Sequence, residues 1–159
     1  MAGRLQDKVA IITGAGCVGP GWGNGRAASV RFGREGAKIF AVDLRAETMV
    51  ETVERTKETG ASIETHLCDV TKDEEVEAMV RRCIEIFGRV DILINNVGGS
   101  SPGGAVALSE ENWHKQLDFN LKSVFLTCKH VIPEMEKVGG GAIVNTASTS
   151  GIRYTGAPQ

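Results

Sequence analysis

No apolar run in this 159-residue chain exceeds about five residues, whereas a bilayer-spanning helix needs roughly 20. A membrane span is therefore excluded. The four cysteines, Cys17, Cys68, Cys83 and Cys128, form no C-x-x-C pair, and the three histidines, His66, His114 and His130, fall on separate predicted elements without ligand spacing. That argues against a dithiol redox motif and against a metal site. An excess of one charge is missing too: 18 basic side chains against 20 acidic ones leave −2, which gives no reason to expect a nucleic-acid partner. Met1 to Val9 is too polar for a secretory signal, and with scattered cysteines the expected setting is reducing and cytoplasmic. There is no internal repeat and no low-complexity linker, so residues 1–159 read as a single domain.

Hydrophobic residues make up 42% of the chain and charged ones 24%, the balance of a globular protein with a real core. Glycine is in surplus. The chain has 20, nearly twice the average frequency of roughly 7%, and six of them crowd the stretch Gly14, Gly16, Gly19, Gly21, Gly23, Gly25.

The hydrophobic pattern around that stretch alternates strand and helix. Lys8 to Thr13 is a short β-branched run that predicts a strand buried on both faces, and Gly25 to Glu35 predicts a helix stopped by Gly36. A second strand runs from Lys38 to Val42 with Asp43 at its carboxyl end, then a helix over Ala46 to Thr59 and a third strand over Ile63 to Leu67. Val76, Val80, Ile84 and Phe87 recur at helical spacing behind the acidic Asp73-Glu74-Glu75 and ahead of Gly88. Val90 to Ile94 is the fourth strand, Ser109 to Asn112 reads as a helix opening, and Asp118 to Lys137 as a long helix with Pro133 a possible kink. Ala142 to Thr146 is the fifth strand. Strands joined by crossover helices make parallel β-α-β units, so the fold class is α/β.

A glycine turn between a strand and a helix amino end forms an anion site. Glycines let the backbone approach a phosphate, and helix N-H groups point at it. Asp43 strengthens this reading, because it stands 43 − 25 = 18 residues beyond Gly25, where a dinucleotide fingerprint places the acid that accepts the adenosine ribose hydroxyls. A carboxylate there repels a 2′-phosphate, so NAD is expected ahead of NADP. Arg45, two residues on, could reach such a phosphate or simply be a solvated loop cation.

With these pieces in hand the chain resembles the short-chain dehydrogenase/reductase family over essentially its whole length. The matching segments are Thr13-Gly14-Ala15, Asp43, Cys68-Asp69-Val70, Asn95-Asn96-Val97-Gly98, Asn120 within Asp118 to Leu121, and Asn145 to Gly151. The resemblance implies a Rossmann-type doubly wound parallel sheet with its first five strands present and the C-terminal strands missing. It implies an NAD(P)-dependent oxidoreductase acting on a small alcohol or carbonyl compound, homo-oligomeric when complete. Gly14, Gly23 and Gly25 would serve the cofactor, with Gly14 and Gly25 weighted most and Gly19 and Gly21 least. Asp69 would bind the adenine amino group with Val70 beside it, and Asn95, Asn96 and Gly98 would line the adenosine side. Asn120 and Ser148 would belong to the catalytic group. Ser148 is chosen over Ser150 because Gly151 follows it by three positions. A hydroxyl fixed at a strand end suits the chemistry, since hydride transfer to a ketone leaves negative charge on its oxygen.

Two departures stand out. The family's Thr-Gly-x-x-x-Gly-x-Gly pattern is lengthened here by about five residues around Gly19-Pro20-Gly21-Trp22. Trp22 could cover the cofactor cleft or pack on the surface. The family's tyrosine, with lysine four residues later, is expected about 12 or 13 positions after Ser148, past Gln159. Tyr154 comes only six after Ser148 and has Pro158 four residues on. The stretch 1–159 is therefore expected to be the first part of a longer enzyme, inactive alone. Three alternatives stand beside that reading: a non-catalytic dinucleotide-binding module, a divergent enoyl-thioester reductase and a methyltransferase. Candidate substrate walls are Ser100 to Ala105 and the loop after Ser148.

Overall fold

The computed structural model describes residues 3–104 and 106–153. Five strands form one parallel sheet: β1 (Val9–Thr13), β2 (Lys38–Asp43), β3 (Ile63–Leu67), β4 (Ile92–Asn95) and β5 (Ala142–Asn145). Their spatial order is β3-β2-β1-β4-β5. The winding reverses between β1 and β4, the place where a doubly wound sheet opens a crevice at its carboxyl edge. The register runs Val9↔Lys38 through Thr13↔Val42 on one side of β1 and Ala10↔Ile92 through Ile12↔Ile94 on the other.

Helices α1 (Asn24–Arg34) and α2 (Ala46–Lys57) cover one face; α3 (Asp73–Phe87) and α5 (Ser123–Lys137) cover the other. β1 sits between both layers, so all five of its residues are buried and both its faces are apolar. On one face Ile11, Phe40, Val42 and Leu93 pack with Val76, Met79 and Val80 of α3 and Leu126, Val131 and Met135 of α5. On the other, Ala10, Ile12, Ile39 and Ala41 pack with Met49 of α2 and the half-buried Phe32 of α1.

The expected elements all form, most with bounds moved by one or two residues. The fourth strand begins at Ile92 rather than Val90; just before it the Asp91 carboxylate accepts from the Val9 amide at 3.0 Å and from Lys8 and Arg89. The long helix begins earlier than Asp118. Helix α4 (Glu110–Leu117) opens at Ser109, whose Oγ accepts from the Asn112 amide at 3.2 Å, and then widens into a π turn over Asp118–Lys122 before α5 continues. Pro133 is accommodated inside α5. α3 ends on Gly88 at φ +76°, a left-handed stop that glycine adopts without strain.

Candidate functional site

In a parallel sheet all carboxyl ends share one edge. Here that edge brings together Gly14 after β1, Asp43 at the end of β2, Cys68 and Asp69 after β3, and Asn96 after β4. They border a cleft of about 390 Å³ whose apolar walls include Val42, Val70 and Val97.

The glycine loop is shaped by contacts no side chain could share. Gly14 stands at φ +62°, and its carbonyl accepts from Asn96 Nδ2 at 3.0 Å. A Cβ on Gly25 would lie 1.9 Å from the Gly14 carbonyl oxygen, so glycine alone lets the first turn of α1 close on the loop. That turn has no acidic residue and no side-chain cap, leaving the helix's positive end for an anion. Gly23 is the residue before the helix, and a Cβ there would meet Cys17 Sγ at an ordinary 3.4 Å. Around Gly19 and Gly21 the space is open. Gly16 is constrained too, by side chains and not by backbone. A Cβ there would fall 2.3 Å from Thr48 Oγ1.

Asp43 points its carboxylate at this loop. Oδ2 accepts from the Gly16 amide at 2.9 Å, and Oδ1 lies 3.0 Å from the Thr48 hydroxyl and 3.4 Å from the Arg45 amide. Neither Thr48 nor Gly16 is among the site residues expected from sequence; the signal for Thr48 is a hydroxyl in the first turn of the helix that follows the acid. Asp69 forms a tight local turn, accepting from the Thr71 amide at 3.0 Å and its hydroxyl at 2.7 Å. Burial works against the Asp69 carboxylate, but the Thr71 bonds outweigh it and hold its pKa below the ordinary value. The buried thiols are pushed the other way: burial raises Cys68 and Cys83 to about 12, which leaves them protonated and inert.

The paired asparagines divide. Asn96 faces the cleft, its amide donating to Thr13 Oγ1 at 3.2 Å. Asn95 is buried and does not line it: its Nδ2 donates to Asn145 Oδ1 at 2.9 Å, and its Oδ1 accepts from Thr127 at 2.7 Å. Its side chain ties β4 to β5 and α5, so the expectation that it lines the adenosine side does not match its position.

Asn120 sits in the π turn, where the Ser123 amide reaches back five residues to the Asp118 carbonyl. Its Nδ2 donates to the Gln116 carbonyl at 2.9 Å and to the Gly99 carbonyl at 3.0 Å, while Oδ1 accepts from the Gly99 amide at 2.9 Å. The side chain thus staples the loop after β4 to the widened helix, and neighbouring Phe119 enters the cleft wall. Gly98 lies beside this staple on the cleft rim. Ser148 follows β5, is exposed, and accepts from the Ser150 amide at 3.2 Å. It shares the carboxyl edge with the other residues but does not border the 390 Å³ cleft. Tyr154, Pro158 and Ala105 lie outside the described residues.

Trp22 packs on the surface rather than over the cleft, with the Arg55 guanidinium 4.7 Å from its ring centroid. Arg45 borders the cleft and lies 4.0 Å from Glu47. Among the described residues no helix is long and apolar enough to cross a membrane, and no group of three or more His, Cys, Asp or Glu side chains is placed to hold a metal.

The chain is 41% identical over 149 residues to an uncharacterised oxidoreductase of Thermotoga maritima, with 94% of the chain and 57% of that protein aligned. A short-chain dehydrogenase/reductase of known structure from Burkholderia xenovorans matches at 59% identity and a TM-score of 0.97, over 99% of this chain and 60% of that one. The structure of a 7α-hydroxysteroid dehydrogenase complexed with NADH and 7-oxo glycochenodeoxycholic acid matches at 32% identity and a TM-score of 0.88, over 96% of this chain and 57% of that one. The chain spans just over half the length of the curated relatives it matches. The short chain dehydrogenase family matches residues 8–158, and with its strand-end motifs in order along one edge of the sheet, this chain belongs to that family.

Proposed function

We propose that the whole protein is an oxidoreductase that moves a hydride between NAD(H) and a small alcohol or ketone, with this chain supplying the dinucleotide half and a serine donor. The observation that carries the reading is Asp43, a carboxylate held in place at the end of β2 by Gly16, Thr48 and the Arg45 amide. The cleft fits such a cofactor: a 390 Å³ volume with apolar walls suits a flat ring system, and the Gly25 cradle and the α1 terminus suit a pyrophosphate. When bound, the nicotinamide ring supplies the hydride chemistry.

The chain's own residues then have distinct tasks. Gly14, Gly16 and Gly25 keep the backbone low enough for phosphate oxygens to reach the α1 amides. Gly23 begins that helix. Asp43 accepts the ribose hydroxyls and repels a 2′-phosphate, which favours NAD over NADP. Asp69 accepts from the adenine amino group, with Val70 and Val97 against the ring and Asn96 and Gly98 on the adenosine side. Asn120 holds the rim at Gly99, and Ser148 donates a hydrogen bond to the carbonyl oxygen as charge builds there. Metal ions have no part in this scheme. The four cysteines are all free, which supports a reducing, cytoplasmic setting, and we propose a homo-oligomer for the whole protein.

The alternative is a dinucleotide-binding module without chemistry. Calorimetry of the whole protein with NAD⁺ and NADP⁺, followed by an NADH assay with mixed secondary alcohols, separates the possibilities. NAD⁺ should bind more tightly, and Asp43→Ala should weaken it by about 1–3 kcal/mol, the cost of leaving hydroxyl partners unpaired. Tighter NADP⁺ binding defeats the role given to Asp43. Binding without turnover establishes the module.

A further inference from the structure

The lengthened glycine loop is held by polar anchors rather than by packing. Val18 is 89% exposed, and a Cβ added at Gly19 or Gly21 would meet nothing within 4 Å. Yet the loop is tied along its length to β2 and α2. The Ala15 amide donates to the Val42 carbonyl at 3.0 Å and the Cys17 amide to the Thr48 carbonyl at 3.1 Å. Farther on, the Gly21 carbonyl accepts from Arg26 Nη1, which also reaches Glu51 on α2. Arg26 Nε donates to Thr52 Oγ1 at 3.2 Å, and the Thr52 hydroxyl donates to the Ala15 carbonyl at 2.9 Å. Glu51 in turn pairs at 2.6 Å with Arg55, the residue lying over Trp22.

Arg26 is the hub of this lattice and the third residue of α1. Its side chain is 3% exposed, and a buried guanidinium is stable only when its donors are met. The planar fork reaches acceptors in the loop and on α2 at once, which a lysine ammonium, a single point charge, does not do. Arg26 does not border the cleft. It nevertheless ties together three parts beside it: the start of α1, the Ala15 carbonyl through Thr52, and the first turn of α2 through the Thr48 carbonyl.

We propose that Arg26 is a positioning residue for dinucleotide binding, clamping the extended loop between α1 and α2 so that the phosphate cradle is formed before the ligand arrives. The proposal rests on the reading that the cleft takes a dinucleotide. A preformed cradle lowers the ordering cost of binding, so its loss falls on cofactor affinity and not on the hydride step.

The test compares wild type, Arg26→Lys and Glu51→Gln in the whole protein. In Arg26→Lys the KM and Kd for NAD⁺ should rise about tenfold, the effect of losing one charge-assisted hydrogen bond, while kcat stays within about twofold. Amide hydrogen exchange over residues 17–22 should accelerate in the unliganded protein, and Glu51→Gln should shift both readouts the same way by less. If Arg26→Lys does not fold, Glu51→Gln carries the comparison, since Glu51 is 36% exposed and tolerates a neutral amide. A lower melting temperature with KM, Kd and loop exchange unchanged would overturn the proposal, as would a fall in kcat at constant KM. Wild type that binds no dinucleotide defeats the functional reading instead, and the exchange comparison then still decides the clamp, with unchanged exchange overturning it.

Discussion

In β1 all five residues are buried, and in β2 burial runs unbroken from Ile39 to Val42, whereas in β5 only Ile143 is even half-buried. The helices show the same contrast. α1 and α2 each bury a face, while α4 and the π turn bury no residue, and Trp113, Leu117, Leu121 and Phe125 stand exposed at four-residue intervals. The glycine loop and Asp43 therefore stand on strands packed on both faces. The side that carries Asn120 and Ser148 is fixed mainly by strand pairing and by individual polar bonds, such as Asn95 to Asn145 and Asn120 to Gly99. The proposed cofactor site belongs to the packed core; the proposed chemistry hangs from its margin.

The largest test of this contrast is a pair of truncations. Ile11→Ala should lose about 2–5 kcal/mol of unfolding free energy, the range for an aliphatic side chain removed from a close-packed core. Val144→Ala, at a side chain 52% exposed in the 159-residue chain, should change the unfolding free energy of that chain by less than about 0.5 kcal/mol. Denaturant unfolding of both variants gives the answer, and similar losses would break the comparison.

A functional version follows. Ser148→Ala in the whole protein should lower kcat by about 10²–10³, as for loss of one donor to a developing oxyanion, and leave the Kd for NAD⁺ unchanged. The packed side would then bind independently of the marginal side. Parallel loss of NAD⁺ affinity would place Ser148 in the nucleotide site; intact turnover would move the donor role to Ser150 or remove it.

The same contrast explains what could be read in advance. The strands and helices from Lys8 to Gly88 are legible because each satisfies a local rule: β-branched runs closed by glycine or an acid, apolar spacing of three and four, glycine stops. Asp43 is legible from its distance to Gly25. The π turn at Asp118–Lys122 is not, since it depends on Asn120 bonding to Gly99, 21 residues away. The roles of Gly16 and Asn95 escape the sequence for a related reason. Gly16 matters through its contact with Thr48, and Asn95 turns inward to Thr127 and Asn145, partners that only the assembled sheet supplies. The burial of Arg26 is not legible either, because its acceptors lie on the extended loop and on α2, which only the folded chain brings to it.

The smallest effect concerns the seam between the two sides, where β1 meets β4. Asp91 is 5% exposed and holds that seam from the amino ends of the strands, accepting from the Val9 amide, Lys8 and Arg89. Burial alone would raise its pKa, but the Arg89 bonds, the Val9 amide and Lys8 outweigh burial and hold it below the ordinary carboxylate value. A carboxyl with a folded pKa below its unfolded one contributes stability that is fully present above the unfolded value of about 3.9 and is lost as pH falls through the folded value. Asp91→Asn should therefore cost about 1–2 kcal/mol at neutral pH, less than a fully buried pair because Lys8 and Arg89 can rehydrate. The cost should shrink as pH drops below about 4, where wild type loses the same contribution by protonation. Thermal melts of both proteins from pH 7 to pH 2.5 should converge on the acid side. A constant gap at every pH would mean that the bond to Val9, and not the charge, holds the two sides together.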